Sequence, residues 1–238
     1  MRRTIVCVSF FLIITSFIGC SGVRLTEEEY VAKAEEMLSQ GNIEDAIFSY
    51  ESLIKYYPES EKINDYNSKL LELKLEAADK FADTKKGQTY MAEALAFAEE
   101  KADTLKNWIK YRMAVMLESS DPENANVIFA EITPQGYNEA AQIYLQKEKV
   151  KESIAVYEKM LEVYPDREDN FKAIFMIGFN YSEYLQDYDK AGTYFQRVID
   201  DYPDCELVKS AEWMLENMGK PPEEIKFIDE DEEKEPEA

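Results

Sequence analysis

The chain has 238 residues and a formal net charge of −22, because 49 acidic side chains outnumber 27 lysines and arginines. This charge argues against binding to nucleic acid, since affinity for phosphate backbones comes mainly from lysine and arginine. The chain has no histidine, the residue that most often serves as general base or transition-metal ligand. We therefore expect no metal site, no cofactor and no small-molecule substrate.

Residues 1–22 begin with Arg2 and Arg3 after the initial methionine and continue with an apolar run that ends at Ile18. The run is shorter than the roughly 20 residues that a membrane-spanning helix needs, and it has the length of a secretory signal sequence. It leads into Phe17-Ile18-Gly19-Cys20, which resembles the lipobox of bacterial lipoproteins. The resemblance implies cleavage before Cys20, lipid attachment to its sulfur and, with Ser21 next, the outer membrane. An uncleaved signal anchor and an ordinary signal peptide remain alternatives.

One phrase then occurs three times with small changes: DAIFSYESLIKYYP at 45–58, ESIAVYEKMLEVYP at 152–165 and KAGTYFQRVIDDYP at 190–203. Each copy has a small residue, an aromatic residue four positions later and a proline twelve positions after the small residue. These positions are Ala46, Tyr50 and Pro58, then Ser153, Tyr157 and Pro165, then Ala191, Phe195 and Pro203.

This spacing predicts helices with one apolar stripe, since every third or fourth position falls on the same helix face. The small residue allows a neighbouring helix to approach closely, and the proline ends the helix. Another helical segment precedes each phrase, so the unit is a helical hairpin that buries its stripe only by stacking. We expect an all-α solenoid of about five hairpins. In the two central hairpins we place the small residue at Ala92 and Ala125.

These patterns divide the chain into four parts. Residues 1–19 are predicted to be the signal peptide, and residues 20–25 the lipidated cysteine with a short tether. Residues 26–218 form the solenoid, in which we expect Cys205 to be a packing residue. Residues 219–238 form an acidic tail, which carries nine acidic residues against two lysines from Glu223 onward. That composition is typical of disorder.

The repeated frames resemble tetratricopeptide repeats. The resemblance depends on Gly41, Ala46, Tyr50, Leu53 and Pro58 in the first copy and on Gly178, Tyr181, Ala191, Phe195 and Pro203 in the last. The interval from Gly178 to Ala191 is one residue longer than the family spacing. The resemblance implies a right-handed superhelix with a non-enzymatic role in binding proteins. Together with the lipobox, the chain resembles outer-membrane barrel-assembly lipoproteins of the BamD (YfiO) type and periplasmic repeat proteins of the YbgF/CpoB type.

The family resemblance also implies a binding surface, because the first helix of each hairpin lines a concave groove in these proteins. On that face we expect Val31, Glu35, Leu38, Asn138, Gln142, Leu145, Phe175, Phe179 and Ser182. None of these residues is basic, so the carboxylate clamp found in some members of the family is not expected. For Phe175 and Phe179, packing against a neighbouring helix remains an alternative. Trp108 and Trp213 are interpreted as core residues.

The resulting hypothesis is a lipid-anchored scaffold that faces the periplasm from the outer membrane and binds protein partners, with barrel assembly as one role. Alternatives are a periplasmic protein that coordinates the envelope or cell division, and a homo-oligomeric spacer. A peptidoglycan-acting enzyme is a more distant alternative, since some helical arrays carry such domains. The sequence has no phosphate loop and no nucleophile elbow.

Overall fold

The computed structural model describes residues 24–101 and 105–225, in which all regular secondary structure is helical. The eleven α-helices in these ranges are α1 (Glu27–Ser39), α2 (Ile43–Tyr56), α3 (Ile63–Lys80), α4 (Lys85–Lys101), α5 (Lys106–Leu117), α6 (Pro122–Glu131), α7 (Pro134–Gln146), α8 (Val150–Val163), α9 (Asn170–Phe179), α10 (Tyr188–Asp201) and α11 (Val208–Asn217). A π-helical turn (Asn180–Tyr184) follows α9, and a 3-10 turn (Pro222–Glu224) follows α11. Within the described ranges, no helix combines the length and the apolar character needed to cross a membrane.

Consecutive helices pack as hairpins: α1 with α2, α3 with α4, α5 with α6, α7 with α8, and α9 with α10. The hairpins stack because α2 packs on α3, α4 on α5 and α8 on α9, and α11 covers the last hairpin through α10. The third and fourth hairpins are joined differently, since α5 contacts α7 directly while α6 packs mainly against α5. The predicted all-α solenoid of five hairpins is confirmed.

Local sequence explains where several helices begin. At α1, the Thr26 hydroxyl oxygen accepts a hydrogen bond from the Glu29 backbone N–H at 3.2 Å. The Glu29 carboxylate accepts one from the Thr26 N–H at 2.8 Å, which completes a capping box. At α6, the Asp121 side chain accepts from the Asn124 N–H, and Pro122 occupies the first helical position. These contacts replace the hydrogen bonds that the first turn of a helix lacks.

The three Tyr-Pro pairs end α2, α8 and α10. The tyrosine of each pair is the residue that caps the helix C-terminus, and the proline that follows is exposed to solvent. The prolines are Pro58, Pro165 and Pro203. They act as helix terminators and not as core residues, because proline lacks the N–H that the next helical hydrogen bond would need.

The other members of the repeated frame form the core between helices. The exposed fraction is 0 % for Ala46, Ser153, Ala191 and Phe195, 2 % for Tyr157 and 7 % for Tyr50. Helix α6 follows the same frame, since Ala125 is fully buried and Phe129 is 1 % exposed. The frame predicted for α4 was wrong: Ala92 is exposed, and Ala94 is fully buried in its place.

The contact between α9 and α10 depends on a glycine. A Cβ atom placed on Gly178 would lie 3.0 Å from the ring of Phe195, which is itself fully buried. The residue added between Gly178 and Ala191 is accommodated by the π-helical turn at Asn180–Tyr184. A π-turn accommodates one residue more than an α-turn, so α10 can begin in the same relation to α9 despite the insertion.

The turns inside three hairpins share a residue with left-handed backbone. Gly41 has φ +74° between α1 and α2, and Glu148 has φ 59° between α7 and α8. Gln186 has φ 52° between α9 and α10. Glycine adopts this conformation without steric cost, whereas a residue with a Cβ atom is strained there. The same turn is therefore relaxed in the first hairpin and strained in the last two.

The segment before α1 packs onto the first hairpin. The Tyr57 hydroxyl donates a hydrogen bond to the Leu25 carbonyl at 2.7 Å, and the Arg24 guanidinium lies 4.2 Å from the centre of the Tyr57 ring. The last two residues of the predicted tether, 20–25, therefore rest on the solenoid. Cys20 and the predicted signal peptide, 1–19, lie outside the described residues.

The beginning of the predicted acidic tail has a defined conformation. Gly219 lies against the ring of Tyr188, and Pro222–Glu224 form the 3-10 turn. Residues 226–238 lie outside the described residues.

Candidate protein-binding groove

Helices α3, α5 and α7, each the first of its hairpin, border a cleft of about 990 Å³. Its apolar surface comes from Leu71, Leu75, Phe97, Trp108 and Tyr144. Because α5 contacts α7 directly while α3 belongs to the preceding hairpin, the cleft lies on the side of the array formed by first helices. A peptide segment with one or two apolar side chains would bury them there.

Trp108 is the central aromatic residue of the cleft and is 6 % exposed. The Arg112 guanidinium lies 4.7 Å from the centre of its ring, and the Lys147 ammonium lies 5.2 Å from it. Tyr144 packs edge-on against the same indole, with 5.9 Å between ring centres. Cations are attracted to the face of an indole ring, so Trp108 holds two positive charges at the apolar surface.

Tyr144 adds a neutral hydroxyl to this surface. Burial raises the pKa of Tyr144 to about 12, although the nearby Arg112 acts in the opposite direction. The phenol therefore stays protonated at neutral pH. The charges of the cleft come instead from its lysine, arginine and carboxylate side chains.

The two walls of the cleft differ in charge: the wall from α3 is acidic, whereas the opposite wall carries two lysines and one glutamate. Glu72, Glu76 and Asp79 line it from α3, where spacings of four and three residues place them on one helix face. Lys147 and Lys149 line it from the α7–α8 turn, together with Glu152 from the first turn of α8. In residues 24–101 and 105–225, no group of three or more cysteine, aspartate or glutamate side chains is placed so that it could hold a metal ion.

An ion pair between Arg112 and Asp79 joins α5 to α3 across the cleft. The Arg112 side chain is 12 % exposed, whereas that of Asp79 is 64 % exposed. A second cavity of about 520 Å³, partly lined by Met91 and Val115, shares both residues with the main cleft. The ion pair therefore lies at the boundary between the two cavities.

The predicted groove residues of the first hairpin lie outside both cavities. Val31 and Leu38 are half-buried and pack against the core formed by α1, α2 and α3. Glu35 is exposed on the surface of α1. The cleft is therefore bordered by later hairpins, and a binding role of these three residues stays a prediction.

The predicted residues of α7 face a neighbouring helix. The Tyr157 hydroxyl of α8 donates a hydrogen bond to Asn138 Oδ1 at 2.9 Å, and Gln142 Nε2 donates one to the same hydroxyl at 3.2 Å. Leu145 is half-buried on the same helix. The two amides thus have partners within the fold, and the cleft is reached by Tyr144 instead.

The predicted aromatic pair of α9 also packs within the array. The ring centres of Phe175 and Phe195 are 5.2 Å apart. Phe179 lies edge-on to Tyr184, with 6.3 Å between ring centres. Ser182 was predicted to face a groove, but it is only 3 % exposed. The reason is the π-helical turn, because one added residue rotates the following side chains by about 100° around the helix axis.

Sequence reasoning missed the basic side chains of the cleft. No basic cluster was expected, but Arg112, Lys147 and Lys149 all line the cleft. A signal for one of them existed, since Trp108 and Arg112 are four residues apart and share a helix face. Trp108 was correctly predicted to be buried, but it also forms part of the cleft surface.

Three stretches of the chain match family models described as tetratricopeptide repeat, at residues 32–60, 134–167 and 172–204. These three stretches are similar to tetratricopeptide repeats. The matched stretches correspond to the first, fourth and fifth hairpins. The second and third hairpins, which contribute α3 and α5 to the cleft, lie outside these matches.

Several solved structures are similar to the chain at low identity. MamA protein is 19 % identical, with 77 % of this chain and 94 % of that chain covered and a TM-score of 0.29. A tetratricopeptide repeat protein from Parabacteroides merdae is 15 % identical, with 80 % and 72 % covered and a TM-score of 0.32. BtubC from P. vanneervenii is 16 % identical, with 82 % and 83 % covered and a TM-score of 0.31. No curated protein matches the chain.

Proposed function

We propose that the protein is a non-enzymatic, lipid-anchored scaffold of the bacterial cell envelope that binds a protein partner in the cleft between α3, α5 and α7. The observation that carries the proposal is the surface around Trp108, where an apolar floor lies between an acidic wall and a wall that carries two lysines and one glutamate. The similarity to tetratricopeptide repeats supports a role in binding protein partners. An accessible apolar cleft with fixed charges is a suitable binding site for a segment of such a partner.

The chemistry of the cleft limits what it can hold. A bound segment needs an apolar side chain to cover the floor formed by Leu71, Leu75 and Trp108. It also needs a positive group opposite Glu76 and a negative group opposite Lys147, since like charges in contact reduce affinity. An amphipathic segment with charges of both signs meets these requirements. A polyanion such as nucleic acid does not.

The envelope location is supported by residues 1–22. A short apolar run behind Arg2 and Arg3 ends at Cys20 in a lipobox-like sequence. Acyl chains contribute about 0.8 kcal/mol per buried CH₂ group, so lipidation would hold the solenoid at a membrane. A serine directly after the lipidated cysteine, here Ser21, favours sorting of a lipoprotein to the outer membrane. We therefore propose that the solenoid is anchored in the outer membrane and faces the periplasm.

The finer role that we propose is assembly of outer-membrane proteins. Coordination of the envelope during division and a homo-oligomeric spacer are the alternatives, and they differ in the partner that they require. A peptidoglycan-acting enzyme is the most distant alternative.

The test is co-purification from gently solubilised membranes, comparing the wild type with Lys147→Glu and Lys33→Glu. Both variants change the net charge by the same amount, but Lys147 lies over Trp108 in the cleft, whereas Lys33 is exposed on α1. We expect the partner to be lost with Lys147→Glu and kept with Lys33→Glu. Equal recovery with both variants would show that the cleft is not the binding site.

The identity of the protein that co-purifies distinguishes between the proposed role and its alternatives. A barrel insertase would support outer-membrane protein assembly, and constriction or wall-synthesis proteins would support envelope coordination. Recovery of the protein alone would support the spacer. Labelled palmitate tests the anchor independently, because the Cys20→Ser variant should not incorporate it.

A further inference from the structure

A cluster of aromatic and cationic side chains lies where the described chain begins. We call it the N-terminal patch, and it consists of Arg24, Lys55, Tyr56 and Tyr57. The Arg24 guanidinium lies 5.2 Å from the Tyr56 ring centre and 4.2 Å from that of Tyr57. The Lys55 ammonium lies 5.6 Å from the Tyr56 ring. The patch therefore joins the entering chain to the end of α2.

The side chains of the N-terminal patch contact their neighbours but remain open to solvent. Tyr57 is held by its hydrogen bond to the Leu25 carbonyl, and Tyr56 stacks on Tyr30 with 6.2 Å between ring centres. Nevertheless, Tyr56 remains 42 % exposed, and both Arg24 and Lys55 are exposed. Tyrosine beside lysine or arginine is the combination enriched at membrane–water interfaces, where an amphipathic ring and a long cationic side chain reach the headgroups.

The length of chain before the patch determines what can lie against it. Arg24 is fixed to the solenoid, and Cys20 precedes it by four residues. Four extended residues span at most roughly 14 Å, and each headgroup layer of a bilayer is about 5–8 Å thick. Lipids attached to Cys20 would therefore bring the N-terminal patch to the headgroups or very close to them.

We propose that the N-terminal patch is a membrane-contact surface, on which Arg24, Lys55, Tyr56 and Tyr57 rest against the headgroups of the bilayer that holds the lipids of Cys20. This inference depends on the proposed lipid anchor. The exposed carboxylates of Glu28, Glu59 and Glu61 lie close by along the chain. Zwitterionic headgroups, which carry both charges, suit this surface better than a purely anionic layer.

The contact gives the solenoid a fixed orientation instead of free rotation on its tether. The α2–α3 connection would face the membrane, and the α1–α2 turn would point away from it. These two sites lie at opposite ends of α2, which has 14 residues and a length of about 21 Å. Glu59 and Gln40 are exposed residues at the two ends, so they form a matched pair of labelling sites that leaves the patch intact.

The experiment uses the full-length lipidated protein with Cys205→Ser, placed in vesicles of mainly phosphatidylethanolamine with a minor share of phosphatidylglycerol. A fluorophore is attached to Glu59→Cys or to Gln40→Cys, and nitroxides on the lipid headgroups act as quenchers. We expect several-fold stronger quenching at residue 59 than at residue 40. Equal quenching at both sites would overturn the proposal, since it would indicate a solenoid that rotates freely.

A second comparison separates contact from simple proximity. A long Gly/Ser linker inserted after Gly22 should preserve the stronger quenching at residue 59. The same linker combined with Arg24→Ser and Tyr56→Ser should abolish it. Loss of the difference with the linker alone would overturn the proposal, and a protein partner would then be the alternative occupant of the patch.

The experiment distinguishes a wrong lipid anchor from a wrong orientation of the solenoid. If the protein incorporates no labelled palmitate and does not float with vesicles, the proposed envelope anchor fails and this inference falls with it. If palmitate is incorporated and the protein floats, but residues 59 and 40 are quenched alike, only the orientation is wrong.

Discussion

Gly178 of α9 lies directly against Phe195 of α10, so closely that a Cβ atom on the glycine would lie 3.0 Å from the ring. The ring cannot easily move aside because Phe195 is fully buried. The pair sets the distance between the two helices of the last hairpin.

The first prediction is that Gly178→Ala destabilises the protein. The added methyl group should cost about 1–3 kcal/mol in overpacking, which exceeds the gain of roughly 0.5–1 kcal/mol from replacing a helical glycine. Gly192→Ala is the matched control, since its nearest neighbour would lie at 3.4 Å, an ordinary contact. Urea unfolding should show a lower free energy of unfolding for Gly178→Ala than for the wild type, and no decrease for Gly192→Ala. A stabilised Gly178→Ala would mean that the helices can separate freely.

The second prediction concerns the left-handed turns. Glu148→Gly and Gln186→Gly should each raise the free energy of unfolding by up to about 1 kcal/mol, because glycine relieves the strain at positive φ. Gly41→Ala should lower it by a similar amount at the equivalent turn. Thermal unfolding measures all three variants. Destabilisation by the two glycine substitutions would show that side-chain contacts outweigh backbone strain.

The third prediction concerns the hydroxyl that joins α7 to α8. Tyr157→Phe removes the donor to Asn138 and the acceptor for Gln142, and leaving such groups unpaired costs about 1–3 kcal/mol. Tyr202→Phe is the control, since no hydrogen bond of its hydroxyl is found in the described part of the chain. Chemical denaturation should give a lower free energy of unfolding for Tyr157→Phe than for Tyr202→Phe. Equal stabilities would mean that water replaces the lost hydroxyl.

The fourth prediction is an alkaline loss of stability that depends on Tyr111. Burial raises the pKa of Tyr111 well above its ordinary value of 10.0. Above pH 10 the unfolded chain releases this proton while the folded chain keeps it. The stability contribution is therefore complete below pH 10 and falls as the pH rises, by up to about 1.4 kcal/mol per pH unit.

The variant Tyr111→Phe should reduce this slope by up to about 1.4 kcal/mol per pH unit, which is the contribution of one proton. Urea unfolding at a series of pH values between neutral and alkaline measures the slope. An unchanged slope in Tyr111→Phe would assign the alkaline loss to other groups.

The sequence predicted the first, fourth and fifth hairpins because their apolar stripes are nearly regular. Ala46, Ser153 and Ala191 mark the face that another helix covers, and a burial pattern of this kind depends on nearby residues alone. In α4, alanine occupies every second position from Ala92 to Ala98. The sequence therefore does not show whether Ala92 or Ala94 faces the neighbouring helix. Small residues on several faces give no preferred stripe.

The cleft could not be predicted in the same way. Which face becomes concave depends on how successive hairpins are arranged, and this arrangement involves contacts between residues far apart in the chain. Asp79 and Arg112 are 33 positions apart and meet across the cleft. The inward rotation of Ser182 likewise follows from a π-helical turn that the apolar spacing does not encode.

Helix α6 packs mainly against α5, and α5 also contacts α7 directly, so we expect that α6 can open without separating α5 from α7. In a stacked array, stability is carried by the contacts between neighbouring units. Opening α6 leaves the α5–α7 contact in place, although it breaks the hydrogen bonds from the Tyr137 hydroxyl to the Phe129 carbonyl at 2.8 Å and from the Tyr164 hydroxyl to the Ile132 carbonyl at 2.9 Å. Amide protons of α6 should therefore exchange with solvent before those of α5 and α7. With α6 open, the hairpins before and after it would be joined mainly through the contact between α5 and α7.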